Sequence, residues 1–229
     1  KTTDTATNLS TDVVTTPQVS GATEIKNFSY VSSSTSALVE YIQFTNQLPK
    51  SVMAQLNLRI EKEAREMFNT NKKELVETVK GFLDTNSPLD GRDLIEELKI
   101  DSVYVNTDTG IASVAQEGYS DTGGAHGSLS YRSSLYDLKT GKDLKLTDLL
   151  IGDYEKKLTA YIKDQIINQT ANCKNCAELG GDMDPLITDV ISNSFVLDGQ
   201  GIMFLYGAYA LGPYSATAGG QGIYVPKET

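Results

Sequence analysis

The period of the apolar residues changes twice along this chain, and that change constrains the fold more than any single motif. Early on, the large apolar side chains come in two short runs. One is Ile25, Phe28, Tyr30 and Val31; the other is Leu38, Val39, Tyr41, Ile42 and Phe44, with a serine-rich segment at 32–36 between them. Such runs predict two strands. After Pro49 the spacing turns helical: Val52, Leu56, Ile60, Ala64 and Met67 recur on one face, with Glu61, Lys62, Glu63 and Arg65 mostly on the other. That charge run reads as a solvated helix face. Asn71, a good N-cap, opens a second expected helix through Leu75, Val76, Val79 and Phe82.

Beyond Asn86-Ser-Pro-Leu-Asp-Gly91, a connector and candidate boundary, strand patterns return. Residues 100–105 and 111–117 flank a hairpin signal, Asn106-Thr-Asp-Thr-Gly110. A glycine-rich loop follows, then a strand over 128–138 and a turn at 139–142. A helix is expected over about 154–168, with Leu158, Tyr161, Ile162 and Ile166 on one face. Asp184-Pro185 has the chemistry of a short helix start. Residues 194–197 and 202–206 form a last hairpin, and 222–225 a final strand. Helices early and an antiparallel sheet late make the fold class α+β. The expected organisation is a flexible Thr/Ser-rich tether at 1–22, an N-terminal α+β part at 23–90 and a larger part at 91–229.

Charge excludes some functions. The chain has 20 basic and 30 acidic residues, a net charge of −10, so a phosphate backbone would be repelled and nucleic acid is not an expected partner. The excess is uneven: residues 50–99 carry nine Lys/Arg against ten Asp/Glu, residues 101–198 eight against fifteen. Such a field favours cationic partners or metal ions. No apolar run approaches the roughly 18 residues of a membrane-spanning helix. The first residues, Lys1-Thr-Thr-Asp-Thr-Ala-Thr-Asn, show neither a signal peptide nor an initiating Met, which reads as a processed chain. A Thr-rich start of this kind suits an exported or lipid-anchored bacterial protein.

The stretch Gly118-Tyr-Ser-Asp-Thr-Gly-Gly-Ala-His-Gly127 contains the only histidine of the chain. As a general base His126 would need a nucleophile or an orienting acid, and Ser120, Asp121 and Ser128 are near in sequence. No Gly-x-Ser-x-Gly frame is present. The other reading is structural: Gly123, Gly124 and Gly127 permit positive φ, and a histidine among them can bond loop carbonyls or shape a ligand site. Cys173-Lys-Asn-Cys176 could be a redox pair, half a zinc site or a short disulfide. Zinc would want two more ligands, and one histidine with no further cysteine does not supply them. Asp182, Asp184 and Asp189 could gather calcium, but their spacing fits no EF-hand. No metal and no cofactor is therefore expected. Tyr206, Tyr209, Tyr214 and Tyr224 crowd a Gly-rich C-terminal region, where tyrosines suit either a sheet core or a binding face. Tyr209 and Tyr214, in the loop, are the candidates for contact.

Three stretches together resemble a known family. They are Gly118-Tyr with Gly123-Gly-Ala-His-Gly127; Tyr136-Asp-Leu-Lys-Thr-Gly-Lys142 with Leu146-Thr-Asp-Leu-Leu150; and Gly201-Ile-Met-Phe-Leu-Tyr206 running on to Gly212-Pro-Tyr214 and Tyr224-Val-Pro226. Their order is similar to the RsiV/PdaC-like extracytoplasmic domain, found in the lysozyme-sensing anti-sigma factor RsiV and beside the catalytic domain of the peptidoglycan deacetylase PdaC. The resemblance covers about residues 98–226. It implies a two-part α+β fold whose larger part resembles a subdomain of the Hsp70-type ATPase, without nucleotide binding. It also implies a cell-envelope location, periplasmic or as an outer-surface lipoprotein anchored upstream of residue 1. In an exported protein Cys173 and Cys176 would by default form a disulfide. The function this implies is non-catalytic binding or sensing. The partner would be a cationic envelope protein such as lysozyme, or peptidoglycan fragments, with His126, Gly124, Asp121, Tyr209 and Tyr214 as contact residues. The alternative is an envelope-acting hydrolase with His126 as general base.

Overall fold

The computed structural model describes residues 22–46, 48–84, 93–172, 191–211 and 219–228. The tether up to residue 21, the connector at 86–91, Cys173, Cys176, the Asp182/Asp184/Asp189 group and Tyr214 lie outside the described residues. The two early apolar runs form strands β1 (Thr23–Val31) and β2 (Thr35–Phe44), an antiparallel pair. The Ser32 amide donates to the Thr35 carbonyl at 2.8 Å and closes the turn between them.

In place of two expected helices, one continuous helix follows: α1, Lys50–Asp84, 35 residues, about 52 Å long at 1.5 Å per residue. The junction Phe68-Asn-Thr-Asn71 has indifferent helix propensity but neither Gly nor Pro, so no hydrogen bond of the ladder has to break. Its apolar side chains also have partners. Leu75 is fully buried against Ala37 and Leu94, with Phe68, Val79 and Phe82 around it. The solvated face is laced with pairs one turn apart, Arg65–Glu61 at 2.8 Å and Lys62–Glu66 at 3.8 Å, each worth only a few tenths of a kcal/mol.

After α1 the chain forms β3 (Leu94–Asn106), β4 (Ile111–Asp121) and β5 (Ser128–Asp137). These complete a five-stranded sheet in the order β1-β2-β3-β4-β5. Pairing is antiparallel except between β2 and β3, which run parallel because α1 carries the chain back over the sheet. The parallel ladder stops at the Val39–Leu98 pair, and side chains take over beyond it. Glu40 accepts the Ile100 amide at 2.8 Å, and the Gln116 amide group donates to the Glu40 carbonyl at 2.6 Å. Leu56, Ile60 and Ala64 of α1 pack on Val39, Phe44, Val103 and Val114 to make the larger core. At the end of β2, Asn57 both donates to and accepts from the Phe44 backbone, at 2.9 and 2.8 Å, pinning helix to strand.

The other face of the sheet carries a second layer. A short helix α2 (Leu146–Leu149) and α3 (Tyr154–Asn172) precede β6 (Phe195–Leu197), β7 (Gly201–Tyr206) and β8 (Gln221–Pro226), a small antiparallel sheet in that order. Leu158, Ile162 and Ile166 of α3 pack on Phe204, Ile223 and Val225. Between the sheets, Val196 and Leu205 pack on Ala115. Serine hydroxyls stitch this seam. Ser133 and Ser113 accept the β6 amides of Phe195 and Leu197, and Ser194 donates to the Tyr131 carbonyl at 2.6 Å. Buried amides that would otherwise lack partners are thereby satisfied. The layers run α1, large sheet, small sheet, α3: an α+β fold. Among the described residues no helix is long and apolar enough to cross a membrane.

Candidate functional site

Strand β4 continues to Asp121, so the first four residues of the glycine-rich stretch are strand and only residues 122–127 form the loop to β5. The loop is built from its neighbours. Asp121 accepts the Gly123 amide at 3.0 Å, and Gly123 takes a φ of 86°, the left-handed region. A side chain there would also run into the Phe82 ring near the end of α1, so position 123 needs glycine on both counts. At Gly124, by contrast, an added Cβ would meet the His126 carbonyl oxygen at an ordinary 3.9 Å.

His126 is exposed, and both its ring nitrogens are engaged. Nδ1 lies 3.0 Å from the Gly127 carbonyl oxygen and Nε2 lies 2.9 Å from the Tyr209 hydroxyl. With the proton on Nδ1, the imidazole donates to the carbonyl and accepts from the tyrosine. The two rings also face each other, centroids 6.0 Å apart. Tyr209 is 55% exposed and has a φ of 67°, a conformation a non-glycine residue rarely adopts. It is held there from below. The Ala208 amide donates to the Leu129 carbonyl at 2.8 Å, and Gly207 lies so close to β5 that an added Cβ would sit 2.6 Å from the Leu129 oxygen. Asp121, Gly124, His126 and Tyr209 thus gather at one end of the large sheet, although 83 residues separate His126 from Tyr209. Ser120 points elsewhere: its hydroxyl donates to Glu96 at 2.6 Å. Burial holds the Glu96 carboxyl above its ordinary range, the Ser120 hydroxyl pulling the other way.

The sheet face beside this loop carries residues that sequence patterning did not single out. Cross-strand pairing sets Glu97 opposite Tyr119, Lys99 opposite Glu117, and Glu117 opposite Tyr131. The Tyr131 hydroxyl is 3.5 Å from Glu117. A bulge in β3, where the register jumps from Ile100 to Ser102, adds Asp101 to the field around it. Burial first, then the charges of Glu117 and Asp101, push the Tyr131 hydroxyl up to about 12. Lys99 answers part of the acid by pairing with Glu97 at 2.5 Å. The signal was present in the period-2 spacing of Glu117, Tyr119, Asp121 and of Leu129, Tyr131. Nothing in one strand alone shows that the neighbour adds its tyrosine to the same patch. Tyr206 belongs to the core, 4% exposed, where burial pushes its hydroxyl up to about 12.

Chemically, this end offers carboxylates, tyrosine rings and one imidazole, a set suited to contact. Among the described residues no three His, Cys, Asp or Glu side chains gather as a metal ion would require.

The sequence matches no protein-family model and no curated protein. Solved structures share its fold. One is a member of the DUF3298 family from Bacteroides fragilis, with a TM-score of 0.62 at 19% identity over 91% of this chain and 92% of that one. Another is a DUF3298 family protein from Pseudomonas aeruginosa, with a TM-score of 0.58 at 18% identity over 90% of each chain. At these identities the likeness is one of architecture: this chain has the α+β fold of the DUF3298 structures.

Proposed function

We propose that this protein is a non-catalytic binding or sensing module of the bacterial cell envelope, an RsiV/PdaC-like domain whose partner is a cationic envelope protein such as lysozyme. The observation that carries the reading is the face just described. Glu97, Glu117 and Asp121 stand with Tyr119 and Tyr131 beside the exposed His126–Tyr209 pair. Carboxylates around tyrosine rings speed encounter with a basic surface and supply rigid apolar contact once it docks. His126 acting as a general base would first have to give up the Tyr209 hydroxyl, which favours binding over hydrolysis. The location that goes with this reading is exported, periplasmic or on the outer surface as a lipoprotein.

Calorimetric titration with a c-type lysozyme, at low and at physiological salt, tests it. Saturable binding that persists at physiological salt and weakens at least tenfold in Glu117→Lys supports the proposal. Heat confined to low salt would mean charge attraction alone. No binding would remove lysozyme, and peptidoglycan fragments would be titrated next against the Tyr209→Ala variant.

A further inference from the structure

The opposite end of β4 holds a feature of different chemistry. Where residues 149–154 link α2 to α3, a cleft of about 680 Å³ opens between that link, the β3–β4 turn and the ends of β7 and β8. Its walls are apolar, among them Ile111, Leu149, Leu150, Ile202 and Val225. Ile151, at the same cleft, is 93% exposed. A volume of this size lies within the range of small-molecule sites, about 300–1,000 Å³.

The polar groups at the cleft select the ligand. Lys157 and Lys227 both line it, both are exposed, and neither has an ion-pair partner among the described residues. Asp153 is the one carboxylate on the lining among the described residues. In a protein of net charge −10, two ammonium groups against one carboxylate among the described residues of an apolar cleft are a local reversal of sign. An alkyl chain fits the walls, and an anionic head fits the lysines.

We propose that this cleft binds a single-chain anionic amphiphile, its alkyl chain between the α2–α3 link and the small sheet and its head at Lys157 and Lys227. A fatty acid is the simplest such ligand. The site is separate from the His126 face, so failure of either leaves the other standing.

Dodecanoate, below its micelle-forming concentration, is the probe, titrated calorimetrically into the whole chain beside dodecyltrimethylammonium. The expected result is one saturable site for dodecanoate, with at least tenfold weaker binding of the cationic analogue. The Lys157→Glu/Lys227→Glu pair should weaken dodecanoate at least tenfold. So should Ile151→Asp, a change at an exposed position that leaves the core intact. Absence of saturable binding would overturn the proposal. Equal affinity for the two head charges would overturn it too, as would indifference to both sets of substitutions.

Discussion

The two ends of β4 are built on opposite terms. At the Asp121 end, backbone is wedged against backbone and polar groups are tied to one another. Gly207 presses on β5, Gly123 on Phe82, and His126 bonds both its own loop and Tyr209. At the Ile111 end the walls are apolar, the cleft is roomy and its two lysines have no ion-pair partner among the described residues. Each end is sensitive to a different kind of change. Over-determined geometry is broken by small insertions, whereas an apolar cleft answers to what fills it.

The largest expected break comes from Gly207→Ala. Its Cβ would collide with the Leu129 carbonyl oxygen and the Ser130 Cα, both backbone atoms that cannot swing aside. The segment carrying Tyr209 must then lift off β5, at a cost of about 1–3 kcal/mol. Urea denaturation measures it. Gly124→Ala is the matched control in the same end of the molecule, where an added Cβ would meet the His126 carbonyl oxygen at an ordinary contact distance of 3.9 Å, and should stay within about 0.5 kcal/mol. Equal effects at the two glycines would show that the crowding at 207 is not what holds this end together.

Next in size is Tyr209→Phe. It keeps the ring and removes the hydroxyl that reaches His126 Nε2, leaving the imidazole to find water. A hydrogen bond of this exposure is worth about 0.5–1.5 kcal/mol. The variant should lose that much in denaturation and should exchange the loop amides at 122–127 faster, while amides of β8 at the cleft end keep their rates. Protection lost at both ends would erase the contrast between them.

How far the sequence foretold these two ends differs for a physical reason. Local patterning located the strands, the helical stretch of 49–82 and the glycine loop, because each is governed by periodicity or by backbone freedom within a few residues. It split α1 in two, since Asn71 has cap chemistry; the absence of Gly or Pro at the 68–71 junction and the burial of Leu75 outweigh that preference. The single histidine and the loop tyrosine were conspicuous as residue types, and the fold brings His126 and Tyr209 within 2.9 Å. The Glu117–Tyr131 pair and the apolar cleft were not legible. One depends on the register between β4 and β5, the other on the meeting of four separate chain segments. Non-local geometry of that kind leaves no trace in any single window.

The smallest predicted effect separates the causes of two equal shifts. Tyr131, on the acidic face, and Tyr206, in the small-sheet core, are both pushed up to about 12, but only Tyr131 owes part of that to carboxylates. Each folded-state value lies above the ordinary 10. The stability each contributes is therefore complete below about pH 10 and is lost as pH rises through about 12. Salt screens the Glu117 and Asp101 charges and leaves desolvation untouched. Going from low salt to about 1 M, where the screening length falls to roughly 3 Å, should lower the Tyr131 titration and leave that of Tyr206 in place. Tyrosinate absorbance, read as the difference between the parent and the Tyr131→Phe or Tyr206→Phe variant, resolves the two. If both move together, the acid on the β3–β4 face does not reach Tyr131, and a binding face built on that acid loses its electrostatic half.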